Sequence, residues 1–285
     1  VEKEVGEIHV AADIGCHTFS TLPPFNIGNS VLGYGLGLAS AAGVGPAFGD
    51  KRVVSIMGDG GLWHNGLTSG VAGAVFNQTD SVLVIMNNGY SSATGQQHIP
   101  STGTNFRSEP TGQNIREALK GLGVKWQRTV TTYEVGNMMK TLREALSTKT
   151  KGLKVIIAES ECQLAKQRRI RPLNRKKLES GERLVRTRFG VDDDVCTGDH
   201  SCIRLSGCPS LTIKPNPDPL RKDPVAHVNN GCVGCGLCGE TADAATLCPS
   251  FYRADIVQNP SAWDRWLDKV RRTVIGFLQG LPAVA

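Results

Sequence analysis

The 285-residue sequence predicts an α/β fold, a parallel sheet with flanking helices, followed by a small cysteine-rich α+β domain. Three observations predict this. Short apolar runs rich in β-branched residues alternate with helical patterns through residues 1–165. Basic residues are concentrated between Lys166 and Arg188, where the apolar runs stop. Seven of the nine cysteines lie between Cys196 and Cys248.

The alternating elements can be assigned in chain order. Buried parallel strands are predicted for KRVVSIMGDG (51–60), DSVLVIMNNG (80–89) and GLKVIIAES (152–160). Helices are predicted for HNGLTSGVAGAVFNQ (64–78), NIREALKGLG (114–123) and TYEVGNMMKTLREALS (132–147). In a sheet of this kind the ligand usually lies beyond the carboxyl ends of the strands. That edge of the sheet is therefore the predicted site.

The weakly polar segment 29–49 has the length of a membrane helix. Its glycines and Pro46 favour a buried, closely packed helix instead. The chain starts with Val and carries no signal-peptide pattern, so we expect a cytoplasmic protein or a piece of a longer one. Its clustered cysteines favour metal ligation in a reducing compartment over disulfides.

Charge is distributed unevenly along the chain. The formal net charge is +6, but ten Lys or Arg and only two Glu occur from Lys166 to Arg188. That segment carries +8 and the rest of the chain 6 − 8 = −2. We predict a basic linker, able to form a helix against a neighbour, that packs against an acidic partner surface or the rest of its own assembly. Few aromatic residues accompany these charges, which disfavours nucleic-acid binding.

Two polar loops follow neighbouring predicted strands. GDGGLWHNG contains Asp59, and MNNGYSS contains Asn88, with 26 residues between Gly60 and Asn87. Carboxylate and amide oxygens suit Mg²⁺, which also takes phosphate oxygens. Gly58, Gly60 and Gly61 would let backbone N–H groups approach phosphates. Each loop alone is more often a simple turn, but the pairing at two strand ends favours a diphosphate site.

This pairing resembles the motif of thiamine-diphosphate enzymes. The resemblance implies that Asp59, Asn88 and the carbonyl of Tyr90 hold magnesium. The stretches DIGCHTF and GDGGLWHNG also resemble the large subunit of indolepyruvate ferredoxin oxidoreductases, and the resemblance to that subunit covers nearly the whole chain. That resemblance implies cofactor contacts at Gly15, Cys16 and His17, and site roles for His17 and His64. Cys16 as a buried, small apolar residue is the alternative.

The cysteine-rich region contains two related stretches. CVGCGLC (232–238) spaces three cysteines by two residues, whereas CTGDHSCIRLSGCP (196–209) has Asp199 at the middle position. The spacing resembles bacterial ferredoxins, in which a distant Cys-Pro completes each cluster crosswise. The resemblance implies one iron-sulfur cluster on Cys232, Cys235, Cys238 and Cys208. It implies a second cluster on Cys196, Cys202 and Cys248, with Asp199 at the fourth corner.

A carboxylate binds iron in a sulfide cluster less firmly than a thiolate. Asp199 therefore predicts a [4Fe-4S] cluster with one oxygen-bound iron, or a [3Fe-4S] cluster in which that corner is empty. His200 is an alternative ligand. A zinc module is the alternative for the region, but seven thiols are one short of two Cys₄ sites.

Taken together, the two resemblances imply the oxidative decarboxylation of aryl 2-oxo acids such as indolepyruvate. Coenzyme A would take the acyl group, and the iron-sulfur clusters would pass electrons to ferredoxin. Alternatives are another 2-oxoacid:ferredoxin oxidoreductase, or an electron-transfer subunit with a relic thiamine fold. The predicted domains are a thiamine-diphosphate domain (1–165), the basic linker (166–189), a ferredoxin-like domain (190–258) and an amphipathic helix (259–285).

The family resemblance also implies partners. The pyrimidine-binding domain that activates thiamine in this family does not precede Val1, so the chain alone is expected to be catalytically incomplete. We expect that domain or the rest of the large subunit, a smaller gamma-type subunit, and assembly into an oligomer. No nucleic acid and no membrane are expected as partners.

Overall fold

The computed structural model describes residues 6–23, 25–132, 134–206, 208, 210–236, 238 and 248–279. The chain divides into two compact units, Val1–Lys166 and Gln167–Ala285. The division of the chain into four domains stays a prediction.

The first unit contains a six-stranded, fully parallel sheet. In spatial order its strands are β2 (Ser30–Val31), β1 (Val10–Ala12), β3 (Val54–Gly58), β4 (Val82–Asn87), β8 (Lys154–Glu159) and β7 (Trp126–Thr131). A small antiparallel pair, β5 (Tyr90–Ser91) and β6 (Gln97–His98), follows β4. The predicted parallel sheet is confirmed.

Helices flank this sheet. They are α1 (Gly37–Val44), α2 (Asp59–Gly61, the π-helical Leu62–Ala72 and Gly73–Phe76 in one run), α3 (Ile115–Gly121) and α4 (Val135–Ser147). Short 3-10 turns cover Cys16–Thr21, Gly45–Phe48 and Pro100–Thr102. The three strands and three helices predicted from the sequence are present. β7 was not predicted, because this edge strand is only partly buried and its sequence, WQRTVT, is largely polar.

Apolar layers cover both faces of the sheet. Leu83 and Ile85 of β4 point into a core shared with α2 and α3, while Val82 and Val84 point into one shared with α4. Burial on both faces explains why β4 is a continuous apolar run rather than an alternating one. The strand ends, and hence the loops after them, are fixed by this packing.

The segment considered as a membrane helix contains α1, whose Gly37, Leu38 and Ala41 are buried. The expected buried helix is therefore confirmed. Among the residues that the structure describes, no helix is long and apolar enough to span a membrane.

The second unit contains two antiparallel strand pairs. α5 (Gln163–Glu179) leads into β9 (Leu184–Val191), which pairs with β12 (Phe251–Gln258); β10 (Leu211–Lys214) pairs with β11 (Val225–Val228). α6 (Ser201–Ser206) and α7 (Ala262–Leu278) complete the described elements.

The basic segment stays a predicted linker between domains. It forms most of α5 and the first part of β9, because Leu184 is buried and β9 has a full-length partner strand. The ferredoxin-like fold of this unit stays a prediction. Pro209 of the first Cys-Pro pair, and residues 239–247 before the second, lie outside the described residues.

Candidate functional site

The candidate site lies where three strands of the first unit end side by side. β1 is followed by Asp13, β3 by Asp59 and β4 by Asn88. β1 and β3 are neighbours although β2 lies between them in sequence, so the chain reverses direction across the sheet here. Parallel sheets bind ligands at such switch points. A cleft with a volume of about 90 Å³ opens there. The predicted residues that line it are Gly15, Cys16, His17, Gly58, Asp59, Gly60, Gly61, Asn88 and Tyr90.

Asp59 is almost fully buried at the start of α2. Its Oδ1 accepts a hydrogen bond from the N–H of Gly60 at 2.9 Å. Its Oδ2 accepts the N–H groups of Asn88 at 2.9 Å and Gly89 at 2.6 Å. Burial raises the pKa of Asp59 to about 6, although these backbone donors favour the charged form. A cation bound here would stabilise the carboxylate further.

The other two predicted magnesium ligands lie on the loop after β4. The Oδ1 of Asn88 accepts hydrogen bonds from the N–H of Tyr90 at 3.0 Å and the hydroxyl of Ser92 at 3.1 Å. The same hydroxyl lies 3.3 Å from the carbonyl oxygen of Tyr90. The amide oxygen of Asn88 and the carbonyl oxygen of Tyr90 therefore both lie next to the hydroxyl of Ser92.

One carboxylate, one amide oxygen and one carbonyl oxygen fit the preference of Mg²⁺ for hard ligands. Within the described ranges, no three His, Cys, Asp or Glu side chains converge as a metal site. A metal in this cleft would therefore depend on the neutral oxygens of Asn88 and Tyr90, and on phosphate oxygens, in addition to Asp59.

The glycines of the first loop make room for neighbouring side chains. A Cβ on Gly60 would lie 2.3 Å from the hydroxyl oxygen of Tyr34, and one on Gly61 would lie 2.2 Å from Oδ2 of Asp13. The N–H of Gly60 already binds Asp59, which differs from the expectation that it is available to phosphates. Gly58 lines the cleft and has open space beside its α-carbon.

The loop after β1 contributes a second wall. Gly15 donates its N–H to Oγ1 of Thr18 at 2.8 Å, which fixes the turn. Burial lowers the pKa of His17, so its ring is neutral, and its buried Nε2 has no hydrogen-bond partner among the described residues. Cys16 is exposed, so its assignment as a buried apolar residue is wrong. Partial burial of its thiol, and then the nearby Cys162, raise the pKa of Cys16.

His64 is not among the described residues that line the cleft. Its ring lies against that of Tyr34, with the centroids 5.2 Å apart. Tyr34 lines the cleft and its hydroxyl shares a hydrogen bond of 2.8 Å with Oγ of Ser91. His64 therefore contacts the site through Tyr34.

Three residues near the site were missed by the sequence analysis. Asp13 is fully buried, its Oδ1 accepts the N–H of Gly35 at 2.7 Å, and its Oδ2 has no partner in the described structure. Burial raises the pKa of Asp13 to about 6. Ser92 donates to Sγ of the buried Cys162 at 3.2 Å. The available signals were an Asp directly after β1, like Asp59 after β3, and a cysteine just beyond β8.

In the second unit, the residues assigned to the cluster with the missing thiol lie near one another. Burial raises the pKa of Cys202, and the neighbouring Cys248, Cys196 and Asp199 raise it further. Cys208 and Cys238, assigned to the other cluster, belong together with Cys202 and Cys248 to the apolar core around Leu211 and Phe251. Cys232 and Cys235 are half-buried.

Arginines hold the loops that begin the two cysteine stretches. Arg221 donates to the carbonyl oxygens of Asp194 at 3.1 Å and Cys196 at 2.5 Å. Arg188 donates to the carbonyl oxygens of Cys232 and of Asn230, the latter at 3.4 Å. The first cysteine of each stretch is thus tied through its backbone to a guanidinium group.

Asp199 is exposed next to α6. Its carboxylate accepts the N–H of Ser201 at 3.2 Å and the hydroxyl of Ser201 at 3.0 Å. These two hydrogen bonds lower the pKa of Asp199, which is therefore ionised at neutral pH. Nε2 of His200 lies 3.0 Å from the carbonyl oxygen of Pro224. The ring of His200 is therefore engaged with the backbone, whereas the carboxylate of Asp199 reaches solvent.

The family comparison decides the identity of the first unit. The sequence profile of "Thiamine pyrophosphate enzyme, C-terminal TPP binding domain" matches residues 13–158. The chain belongs to the thiamine pyrophosphate enzymes. The matched range spans the sheet from the loop after β1 to the end of β8 and includes every residue proposed above for the diphosphate and magnesium.

Relatives of this thiamine pyrophosphate enzyme include the indolepyruvate oxidoreductase subunits IorA. The chain is 28% identical to that of Pyrococcus abyssi over 251 residues, which covers 84% of this chain and 35% of the relative. It is 28% identical to that of Archaeoglobus fulgidus over 253 residues, covering 88% and 36%. The chain thus spans about a third of the length of these relatives. The resemblance stated from the motifs is confirmed.

A solved 2-oxoglutarate:ferredoxin oxidoreductase from Magnetococcus marinus is also similar. It shares 19% sequence identity at a TM-score of 0.46, covering 56% of each chain.

Proposed function

We propose that this chain is part of an enzyme that oxidatively decarboxylates aryl 2-oxo acids of the indolepyruvate type. Coenzyme A receives the acyl group, and iron-sulfur clusters pass the electrons to ferredoxin. The observation that carries the proposal is the presence, on one chain, of a thiamine pyrophosphate domain and seven closely spaced cysteines. The relatives named indolepyruvate oxidoreductase support the substrate class.

In the first unit, Asp59, Asn88 and Tyr90 would hold Mg²⁺ and through it the diphosphate. When bound, thiamine diphosphate would supply the carbon nucleophile for the 2-oxo group and would stabilise the electron pair left on the substrate carbon when CO₂ departs. Asp59 carries the negative charge of the site, and its backbone donors fix both of its oxygens. Ser92 orients the amide oxygen of Asn88. The neutral ring of His17 offers a buried nitrogen to the ligand.

In the second unit, the thiols would hold two iron-sulfur clusters. The proximity of Cys202 to Cys196, Cys248 and Asp199 supports the crosswise assignment. Each ligand of a cluster binds a different iron, so its ligands do not converge on one point as those of a single ion do. The exposed, ionised Asp199 is better suited than His200 to bind iron, because the ring of His200 is engaged with a carbonyl.

A further domain or subunit would complete the active site. Large apolar side chains are exposed along the loop that forms one wall of the cleft. They are Ile14, Phe19, Leu22, Phe25, Ile27 and Leu32. Exposed apolar groups at such density mark an interaction surface. The remaining two thirds of the relatives' length supports a pyrimidine-binding domain as the occupant, with a smaller subunit beside it.

The proposal is tested on the assembly purified without oxygen. Titration with thiamine diphosphate and Mg²⁺, followed by tryptophan fluorescence, should saturate; no binding would favour the relic fold. In electron paramagnetic resonance, a three-iron signal that disappears when Asp199→Cys restores the thiol would show an empty corner, whereas a four-iron signal altered by Asp199→Cys would show that Asp199 binds the fourth iron. Zinc without iron in a metal analysis would exclude the oxidoreductase. Two four-iron signals unchanged by Asp199→Cys and Asp199→Ala would show that another residue binds the fourth iron.

A further inference from the structure

The helix α5 carries a concentration of positive charge with few balancing carboxylates. Seven of its seventeen residues are Lys or Arg, against a single Glu, Glu179. Arg171, Arg175, Lys176 and Lys177, which we call the basic surface, are all exposed. Arg175 forms an ion pair with Glu179 at 3.2 Å. No ion pair of Arg171, Lys176 or Lys177 occurs within the described part of the chain.

This arrangement destabilises the helix in isolation. Like charges four residues apart, such as Arg171 and Arg175, repel each other. α5 buries only Ala165, and its apolar Leu164 and Leu173 are exposed, so packing compensates little. Binding of an anionic partner would remove the repulsion and explain the composition.

The carboxyl end of α5 is held firmly against the cysteine-rich unit. Nδ2 of Asn259 donates to the carbonyl oxygens of Leu178 at 3.2 Å and Glu182 at 3.1 Å. Arg183 forms two hydrogen bonds of 2.7 Å to Asp264 at the start of α7. The position of the basic surface relative to the β9–β12 pair is therefore fixed.

β9 leads directly from this end of the helix to the complete cysteine stretch. Arg188 in the middle of β9 holds the carbonyl of Cys232. Four residues of strand separate Leu184 from Arg188, a distance of about 13 Å. Through β9, the end of α5 that carries Lys176 and Lys177 is therefore joined to the loop of the cluster proposed on Cys232, Cys235 and Cys238.

We infer that the basic surface is the docking site of an acidic, ferredoxin-type electron carrier, an inference that rests on the proposed function. Nucleic acid fits less well, because α5 contains no aromatic side chain on which a base could stack. A lipid surface fits less well, because the exposed Leu164 and Leu173 of α5 are nine residues apart and so lie on opposite faces of the helix rather than on one apolar face.

The test compares two variants of the complete assembly, purified without oxygen. In Arg171→Gln/Lys176→Gln/Lys177→Gln three charges of the basic surface are removed. The matched control, Lys120→Gln/Lys125→Gln/Lys149→Gln, removes three exposed lysines of the first unit. The carrier is an acidic bacterial ferredoxin, assayed for binding by calorimetry and for reduction at several salt concentrations. Methyl viologen, a small cationic acceptor, reports electron delivery without docking.

We expect the KM for ferredoxin to rise about tenfold at low salt in the first variant and to lose most of its salt dependence. The control variant and the kcat with methyl viologen should match the wild type. Unchanged ferredoxin binding and kinetics would overturn the inference. The inference would also be overturned if the first variant lost binding to RNA or to anionic vesicles while it kept its binding to ferredoxin. If the wild type fails to reduce methyl viologen, the proposed function fails, and the calorimetric comparison still decides whether the basic surface binds ferredoxin.

Discussion

The two units differ in what their cores are made of. The first unit packs aliphatic side chains on both faces of a six-stranded sheet, such as Leu83 and Val155 on one face and Val84 and Ile156 on the other. The second has small apolar clusters in which five members are cysteines. They are Cys196, Cys202, Cys208, Cys238 and Cys248.

Because of this difference in core composition, the proposed binding sites of the two units are positioned in different ways. In the first unit, the apolar core fixes the strand ends, and the polar site is positioned as a result. In the second, the groups proposed to bind iron are themselves part of the core, so folding and metal binding are coupled. The predictions below test this contrast, from the largest expected effect to the smallest.

Removal of iron should affect the two units unequally. After oxidative removal of the clusters and chelation, we expect β9–β12 to lose its protection against amide hydrogen exchange, because the cysteines lose the metal that joins them. Strands β3, β4 and β8 should stay protected. Mass spectrometry of the exchanged protein measures both units in one sample. Equal loss of protection in the two units would contradict the contrast.

Asp80→Asn should destabilise the first unit by about 3 kcal/mol. Asp80 pairs with the fully buried Lys154 and with Arg52 at 3.1 Å. Burial raises the pKa of Asp80, but hydrogen bonds from Lys154 and Arg52 outweigh it and the net shift is downward. The variant leaves Lys154 as an unpaired buried charge. Urea unfolding measures the loss.

The exposed Asp50 provides the control for this charge removal, and Asp50→Asn should leave stability unchanged. Asp80→Asn combined with Lys154→Met should recover part of the loss, since the buried lysine charge is gone and Arg52 keeps its hydrogen bonds to the carbonyl oxygens of Leu146 and Thr148. A double variant as unstable as Asp80→Asn would rule out the unpaired lysine as the cause.

Asp13→Asn should stabilise the unliganded protein by about 3 kcal/mol above pH 6. The pKa of Asp13 is about 6 in the folded protein and 3.8 when exposed, so the folded state holds the proton more tightly. Stability therefore falls as pH rises from 3.8 to about 6 and stays low above that.

Urea unfolding of wild type and Asp13→Asn at several pH values measures this effect. Asp59 contributes a fall of the same sign, because its pKa is also raised to about 6. The variant should therefore retain a shallower pH dependence. Parallel profiles for the two proteins would contradict the burial of an ionised Asp13.

Asp59→Asn should weaken binding of Mg²⁺ and thiamine diphosphate about 100-fold, because the only carboxylate of the proposed metal site is lost. Ser92→Ala, which removes only the group that orients Asn88, should weaken it about tenfold. Wild-type affinity should fall as pH drops below about 6, because protons compete for Asp59. Equilibrium dialysis measures all three. Equal losses in the two variants would contradict direct ligation by Asp59.

Arg221→Gln should have the smallest effect, about 1 kcal/mol, through lost hydrogen bonds to the carbonyls of Asp194 and Cys196. The effect should be hidden while the clusters are bound and appear after iron removal, since the metal then no longer holds the loop. Limited proteolysis of both forms measures it, with Lys222→Gln as the control. If Arg221→Gln increased the rate of proteolysis equally with and without iron, the bound metal would not be what holds this loop, and the prediction would be wrong.

The sequence by itself determined the strands and helices whose pattern is unambiguous. β4 and β8 are continuous apolar runs between polar loops, a pattern that needs burial on both faces. It also predicted that Asp59 and Asn88 lie at neighbouring strand ends, because each directly follows an apolar strand. The cysteine spacing likewise can be read without coordinates.

Only the tertiary structure decided what surrounds these residues. The burial that raises the pKa of Asp59 and Asp13 depends on chain segments far apart in sequence. The approach of Ser92 to Cys162 requires the ends of β4 and β8 to be neighbours. β7 escaped detection because an edge strand needs only one apolar face, and the basic segment became α5 and β9 because β12 supplied a partner. Local patterns specify elements, whereas pairing, burial and charge environment arise from contacts that no local pattern contains.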